Sequence, residues 1–498
     1  MGRPYSKAQG GSAIVVAASD TPGVLKSRAD LVCVGTSTTG GDDVYINNAL
    51  GRADAVILCP GTFWVSGSIT LGTGQSLFGC GPSSVIKARN SHNAGLLVII
   101  NSDTVGGNNN IAVQNLKVDG NKANQTAGWA YGITFLRVGV GNTPGGKIIG
   151  CIIENLYGSS VGILVAQSDS NILLGNSIRE CLVAITLEGA KNNVLVGNCC
   201  QTNRAHGVAL SSSSGNTVVG NTCQWNRGYG FFLENTSSYN IISGNTAHGN
   251  GLEGICIDNS SNNTVSNNSF IENSQQGDNL RDNIWVEAND QYNLISGNFC
   301  RAPSVATTLS GAHSAGATVL TLANASGFVI GGGITIDADN GSGKKETRRI
   351  SNISGNVVTI ETGLANDQAD GEDVAKPRAA YGVNIAANTC ISNMAINNDI
   401  YESGKTSNLR DVGTNTIIRN NRGYNPVGIS AITVGASPFT YTAAASPETV
   451  YVSGGTVSSI TKGGNNFGLT SGAFNLEPHE SIIVTYTVAP TMYKDVHS

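Results

Sequence analysis

The sequence predicts an all-β solenoid, a chain wound into stacked coils of short strands. Three observations carry this reading. Between Asn171 and Tyr292 the chain repeats about every 23 residues, with units opening at 171, 193, 216, 240, 263 and 293, so that the intervals are 22, 23, 24, 23 and 30. Each unit holds the same pair of signatures: N-V-L-V-G-N from Asn193, N-T-V-V-G-N from Asn216, N-I-I-S-G-N from Asn240 or N-T-V-S-N-N from Asn263, then a short apolar alternation such as G-V-A-L, G-F-F-L, G-I-C-I or N-I-W-V. A fixed period of this length, with two-residue alternation inside it, marks stacked units that share one continuous core. Composition agrees, since 64 glycines and only 13% charged residues favour turns and strands over helices.

Taken in order, residues 1–84 read as an N-terminal leader and cap. Residues 1–23 look loose, and the run A-I-V-V-A-A from Ala13 is too short for a secretory segment or a membrane span. Either the protein is assembled in the cytoplasm or a leader has been removed. Asp42-Asp43 followed by V-Y-I-N-N-A-L-G-R reads as a short, N-capped amphipathic helix. Strands broken by Pro-Gly and Gly turns follow, and would cover the open end of the solenoid. Residues 85–300 are coils, irregular in length to Ser170 and regular after it. Residues 301–379 change texture, with A-T-V-L-T-L, I-T-I-D and V-V-T-I-E-T strands around K-K-E-T-R-R, and read as a small inserted β module. The repeat resumes at Y-G-V-N-I-A-A-N-T-C and fills 380–423, and alternating strands from Pro426 make 424–498 a C-terminal β-domain.

The repeat also places equivalent side chains above one another. Asn176, Asn198, Asn221, Asn245, Asn268 and Asn298 form one series, and Asn203, Asn226, Asn250 and Asn273 a second at the next bend. Stacked asparagines bond side chain to side chain and satisfy amides that burial would strand. The 11 cysteines are odd in number and lack paired metal-type spacing; Cys200, Cys223, Cys300 and Cys390 fall at inward strand positions, as free buried thiols. A net charge of -5 without a basic run argues against nucleic acid as a partner.

These repeats, with the P-G-T-F-W-V and L-F-G-C-G stretch before them, resemble the right-handed, single-stranded parallel β-helix of the pectate-lyase-like superfamily, and in particular its phage tailspike and polysaccharide-processing members. The resemblance covers roughly residues 30–300 and 380–421. It implies a polysaccharide partner, a location in a virion tail or outside the cell, and a homotrimer. It does not carry a catalytic signature: of the polygalacturonase motifs only A-H-G at Ala205–Gly207 survives, the pectate-lyase W-I-D-H and R-x-P-x-x-R patterns are absent, and no D-P-H follows Tyr131-Gly132. Function on such a fold resides in its sites.

The alternation assigns inward and outward positions on the second strand of each coil. Inward are Ile185 and Leu187, Val208 and Leu210, Phe231 and Leu233, Ile255 and Ile257, Ile284 and Val286. One outward file reads Glu188, Ser211, Glu234, Asp258, Glu287, and its neighbour contains Phe232 and Trp285. Like charges on adjacent strands repel, and with 34 acidic residues among 498 a file of four in five is well above chance. Three readings stand. Two of Glu188, Glu234, Asp258 and Glu287 act as acid and as base or nucleophile on a glycosidic bond, since rungs about 4.8 Å apart suit the separations such pairs need. Or calcium at Glu234 and Asp258 acidifies a uronate for elimination by an Arg or Lys base. Or the charges solvate a face on a protein that adsorbs glycan without cutting it. The 30-residue unit adds a loop, S-Q-Q-G-D-N-L-R-D-N, whose Asp278, Arg281 and Asp282 precede Trp285; Arg281 would clamp an acidic sugar. Phe232 and Trp285 are aromatics that would stack on a sugar ring, and His206 and Tyr229 share one position just ahead of their strands, where they would shuttle protons and contact substrate.

Overall fold

The computed structural model describes residues 13–339, 343–424 and 429–497. The chain is a parallel β-helix. One coil shows how the local sequence builds it: Val194–Val196 forms a first strand, Gly197 at φ 62° turns the chain, Cys199–Gln201 forms a second strand, and Val208–Ser211 a third. Each strand then pairs in parallel with the same position one coil on, as Val194 with Thr217, Cys199 with Thr222 and Val208 with Phe231. The result is three long sheets: sheet I with 14 strands, sheet II with 10 and sheet III with 11. The inward residues Ile185, Leu187, Val208, Leu210, Phe231, Leu233, Ile255, Ile257, Ile284 and Val286 are all fully buried, in one core that runs from Val16 to Ile418.

Asparagine ladders hold the bends. Asn198 Nδ2 donates to Asn221 Oδ1 at 2.8 Å, Asn221 to Asn245 at 3.0 Å, and Asn245 to Asn268 at 3.0 Å, and the run continues to Asn421. The series from Asn203 behaves likewise as far as Asn283, with 2.9 Å from Asn203 to Asn226. A third ladder runs through the residues that open each unit, from Asn171 to Asn393. Along the ladder an Oδ1 also accepts the backbone N–H of the asparagine one coil earlier, as Asn221 does from Asn198 at 2.9 Å and Asn245 from Asn221 at 2.8 Å. The stack therefore satisfies bend amides that no strand can reach.

Four details differ from the sequence reading. Ala13–Ala17, expected in a loose leader, is a strand of sheet I paired with Leu31–Val32 and Ala55–Leu58, because its alternating apolar residues extend the core; residues 1–12 lie outside the described residues. The helix Asp42–Leu50 is capped by Gly41, not by an aspartate. Asp42 instead accepts N–H bonds from Gly35 at 2.6 Å and Trp64 at 2.8 Å, and Asp43 from Ser66 at 2.9 Å, so both carboxylates tie the helix to neighbouring strands. Cys390 is buried in a bend rather than on a strand, and all 11 cysteines are unpaired. Asp278, expected near the outward carboxylates, is buried within an ion cluster instead, 2.6 Å from Lys345 and with Lys405 and Arg378 beside it.

Between sheets II and III of one coil the chain leaves the helix for a six-stranded antiparallel sheet, Ala306–Ala375, with its own core around Leu320, Ile334 and Val358. Arg227 with Glu361 (2.9 Å) and Lys376 with Glu272 (2.8 Å) bind this module to the coils. Two four-stranded antiparallel sheets follow from Ser430, around Val450, Ile460 and Val484; the boundary at Pro426 lies outside the described residues.

Asn221→Ala deletes a buried amide that accepts from the Asn198 N–H and Nδ2 and donates to Leu195 O and Asn245 Oδ1, and strands the Asn198 N–H, so it is expected to lower stability by about 3 kcal/mol in denaturant unfolding. Ser243→Ala, an outward change on sheet I, is expected to cost less than about 0.5 kcal/mol.

Candidate functional site

The outer face of sheet III carries three files of side chains, fixed by its register. In the first, His206, Tyr229, Glu253, Asp282 and Tyr381 stand on successive coils, each two residues before the first inward residue of its strand; Gly207 N–H meets Tyr229 O, Gly230 N–H meets Glu253 O, and Asn283 N–H meets Tyr381 O. In the second, Phe232 pairs with Cys256, Cys256 with Trp285, Trp285 with Asn384, and Asn384 with Arg410. The third opens with Glu188 opposite Ser211 and Ser211 opposite Glu234, and Asp258 and Glu287 continue it one residue past the paired Ile257 and Val286.

The upper part of this face is aromatic. The His206 ring stacks on Tyr229 with centroids 5.0 Å apart and 13° between planes, and Phe232 lies 4.5 Å from Tyr229 and 5.4 Å from His206. The Tyr229 N–H donates to His206 Nδ1 at 3.2 Å. Burial lowers the His206 imidazole to about 4, so the ring is neutral near pH 7 and its Nδ1 is already engaged as an acceptor. Cys256 points outward by register yet is fully buried, between the bulky neighbours Phe232 and Trp285 on the adjoining rungs.

Below it the face opens into a cleft of about 400 Å³ lined by Glu253, Arg281, Asp282, Trp285, Tyr381 and Arg410 among others. Glu253 is only 1% exposed. Burial pushes its carboxyl up to about 7, with Arg281, whose Nη1 is 3.9 Å from Oε1, pulling in the opposite direction. Its Oε2 has no hydrogen-bond partner. Asp282 is raised to about 6, again mainly by burial, although Asn384 Nδ2 and the Tyr381 N–H donate to it at 2.8 and 3.0 Å. Arg410 donates to Asn384 Oδ1 at 3.1 Å and lies over the Tyr381 ring, 5.9 Å from its centroid. Glu234 and Glu287 are raised too, by burial first and then by Asp258 between them. Asp290, at the bend after Glu287, is fully buried and raised to about 8 by burial, with one oxygen bonded to the Ser260 N–H and the other unpartnered.

The fold thus brings Arg281 and Trp285 into one cleft, sets Tyr229, Phe232 and His206 in an aromatic cluster beside it, and keeps Glu234, Asp258 and Glu287 in one file. Glu188 stands two coils above Glu234, across Ser211, and neither it nor Glu234, Asp258 or Glu287 is among the residues that line the cleft. Glu253, Tyr381 and Arg410 were not singled out from the sequence. Their signal was present: Glu253 holds the same position in its coil as His206 and Tyr229, and following that file downward reaches it. Calcium at Glu234 and Asp258 was one of the three readings of the sequence. Among the described residues the acidic group able to hold a metal is Asp337, Glu372 and Asp373 of the inserted module, with carboxylate oxygens within 4.8 Å of one another.

A family model described as "Periplasmic copper-binding protein (NosD)" matches residues 81–301. Among solved structures, full-length tailspike protein 2 of an Escherichia coli O157:H7 bacteriophage is 13% identical, over 93% of this chain and 62% of that one, with a TM-score of 0.49. The A-module of a mannuronan C-5 epimerase from Azotobacter vinelandii is 14% identical, over 79% and 98%, with a TM-score of 0.45. A Geobacillus virus E2 protein is 14% identical, over 91% and 76%, with a TM-score of 0.46. No curated protein matches the chain by sequence. None of these likenesses assigns chemistry to it.

The raised carboxyl gives a signed prediction. The Glu253 carboxyl lies at about 7 in the fold against an ordinary 4.5, so its contribution to stability is complete below about 4.5 and is lost as pH rises through 7. Glu253→Gln is expected to remove that loss, making the variant more stable than the native chain at pH 8 by on the order of 3 kcal/mol, with little difference at pH 4. Denaturant unfolding at the two pH values measures it.

Proposed function

We propose that this chain binds a polysaccharide along sheet III and hydrolyses a glycosidic bond there. The observation that carries the reading is Glu253, a buried carboxyl about half protonated at pH 7, with one oxygen free of partners and set in a cleft with Trp285 and Tyr381. A carboxyl of this kind is a general acid in its working range. It would protonate the glycosidic oxygen of the leaving sugar. A carboxylate of the neighbouring file, Glu287 or Asp258, would take the proton of the attacking water or attack the anomeric carbon itself. Burial raises the Tyr229 phenol, and Glu253 and Glu287 both add to that rise, which supports their lying on one patch of the face. Glu234 and Glu188 extend the file beyond the reacting pair.

The aromatic cluster of His206, Tyr229 and Phe232, with Trp285 and Tyr381 below it, offers apolar faces on which sugar rings stack. Arg281 and Arg410 add two cations to the same cleft, which favours an acidic glycan. Such a ligand puts the protein's work outside a cell, in a virion tail or in an extracellular setting. Elimination on a uronate is the second reading, favoured by the half-exposed Arg281 beside Glu253, which could serve as its base.

Glu253→Gln is expected to lower the rate of glycan cleavage at least 100-fold while binding to the same glycan persists, as for loss of a general acid. The native rate is expected to fall as pH rises above about 7, following the Glu253 carboxyl. Assay of an acidic-polysaccharide panel for reducing ends and for ultraviolet-absorbing unsaturated uronates checks both. Absorbing product would replace hydrolysis by elimination, and binding without any product would leave adsorption alone.

A further inference from the structure

Two cysteines that the cleft does not use stand together at one end of the solenoid. Cys80 is the one exposed cysteine of the eleven, and Cys59 is 6% exposed. Ala55–Leu58 and Ser76–Gly79 are neighbouring strands of sheet I, paired from Ala55 with Ser76 to Leu58 with Gly79. One residue past that pairing, Cys59 and Cys80 hold the same position on successive coils. Val56, Leu58 and Leu77 are fully buried in the core, so alternation turns both cysteines to the outer face. The Ser84 hydroxyl joins their backbones, accepting the Cys80 N–H at 2.8 Å and donating toward the Leu58 and Cys59 carbonyls at 2.9 and 3.1 Å. Burial raises the Cys59 thiol, and the Cys80 thiol adds to that rise, so the two sulfurs lie within electrostatic reach. A rung spacing of about 4.8 Å falls inside the roughly 4.4–6.8 Å between the Cα atoms of a disulfide. Cys200 and Cys223 also pair in register, but both are fully buried, where no reagent in solution reaches them.

Between Cys59 and Cys80 the chain makes one complete coil, and that coil holds the end strands of two sheets. Gly61–Val65 ends sheet II and pairs, among the described residues, with Ser84–Ala88 alone. Ile69–Leu71 ends sheet III and pairs with the strand Gly95–Asn101 alone. A solenoid is held by contacts between neighbouring coils, so a coil whose strands have neighbours on one side opens first. A bond between its two ends would close this coil into a covalent ring.

We infer that Cys59 and Cys80 are an oxidisable pair, reduced in the structure and joined by a low-molecular-weight disulfide into a staple across the end coil. The exposed Cys80 begins the exchange. Its thiolate attacks one sulfur of a small disulfide such as oxidised glutathione, forming a mixed disulfide and expelling one glutathione thiolate. The Cys59 thiolate then attacks the Cys80 sulfur, the Cys59–Cys80 bond forms, and the second glutathione leaves. Two protein thiols are oxidised, and their electrons depart on two reduced glutathiones. Burial keeps Cys59 largely in its thiol form at neutral pH, so the second step quickens as pH rises. The staple would be open where thiols are kept reduced and would close in an oxidising compartment. It restrains the unfolded chain around the coil that opens first. None of this depends on the glycan reading, because neither cysteine borders the cleft.

Incubation of the reduced full chain with oxidised glutathione near neutral pH, followed by peptide mapping by mass spectrometry, tests it. The native chain is expected to lose two hydrogens and to give one linked pair of peptides carrying Cys59 and Cys80. Cys59→Ser is expected instead to keep a glutathione adduct on Cys80, and Cys80→Ser to show neither the link nor an adduct at Cys59. A native chain whose Cys80 stays free, or keeps its adduct beside a free Cys59, overturns the proposal, as does a link that forms only in denaturant. The staple's effect is read on the native chain, so it does not rest on a variant that folds. Proteolysis between Ala55 and Ala88 is expected to be at least tenfold slower after oxidation than before it, and equal rates overturn the stapling role.

Discussion

Hydrogen bonding between the same positions of successive coils is the constraint on which everything else rests. It fixes the spacing of rungs, and with it the vertical alignment of every side chain in the solenoid. Strand pairing alone would leave the bends unsatisfied, since the short strands Val194–Val196, Cys199–Gln201 and Val208–Ser211 make up less than half of their coil. The asparagine ladders supply the rest, with each amide both donating to the next coil and accepting from the previous one. Because a ladder links neighbours only, an insertion at one bend does not disturb the others, and the Asn298 to Asn398 bond closes across the whole inserted module at 3.0 Å.

The chemistry of the cleft follows from a conflict between this packing and charge. Glu253, Asp282 and Asp290 occupy positions that the fold buries, with Arg281 and the local amides as incomplete compensation. Desolvation disfavours their charged forms, and their carboxyls rise. A protein built only for stability would place a serine where Asp290 stands, as Ser213, Ser237 and Ser260 do on earlier coils. Destabilising groups gathered on two successive coils fit the proposed site better than a scaffold.

Growth of the fold at one bend gives that site its walls. The long coil and the inserted module both depart between sheets II and III, and the buried Asp278 carboxylate joins them through Lys345, Lys405 and the Arg378 N–H. Cations beside a fully buried carboxylate hold it well below the usual carboxylate range, so the junction is anchored in its charged form. The loop so anchored carries Arg281 and Asp282 to the edge of sheet III.

The sequence by itself determined the fold class, the inward and outward alternation and the stacking of asparagines, since all three follow from a local repeat that every coil obeys. It also placed Trp285, Phe232, Tyr229 and the Glu234, Asp258 and Glu287 file on one face, because register is a matter of counting. Which carboxyl is buried was decided by tertiary structure. Glu253 reads as an ordinary acidic residue in G-L-E-G, and only the packing of adjoining coils and the loop removes water from it. Tyr381 and Arg410 reach the cleft from beyond an insertion of some eighty residues, a distance no period can count across. Periodicity fixes where a side chain points, but solvent exclusion depends on what the rest of the chain brings to lie beside it.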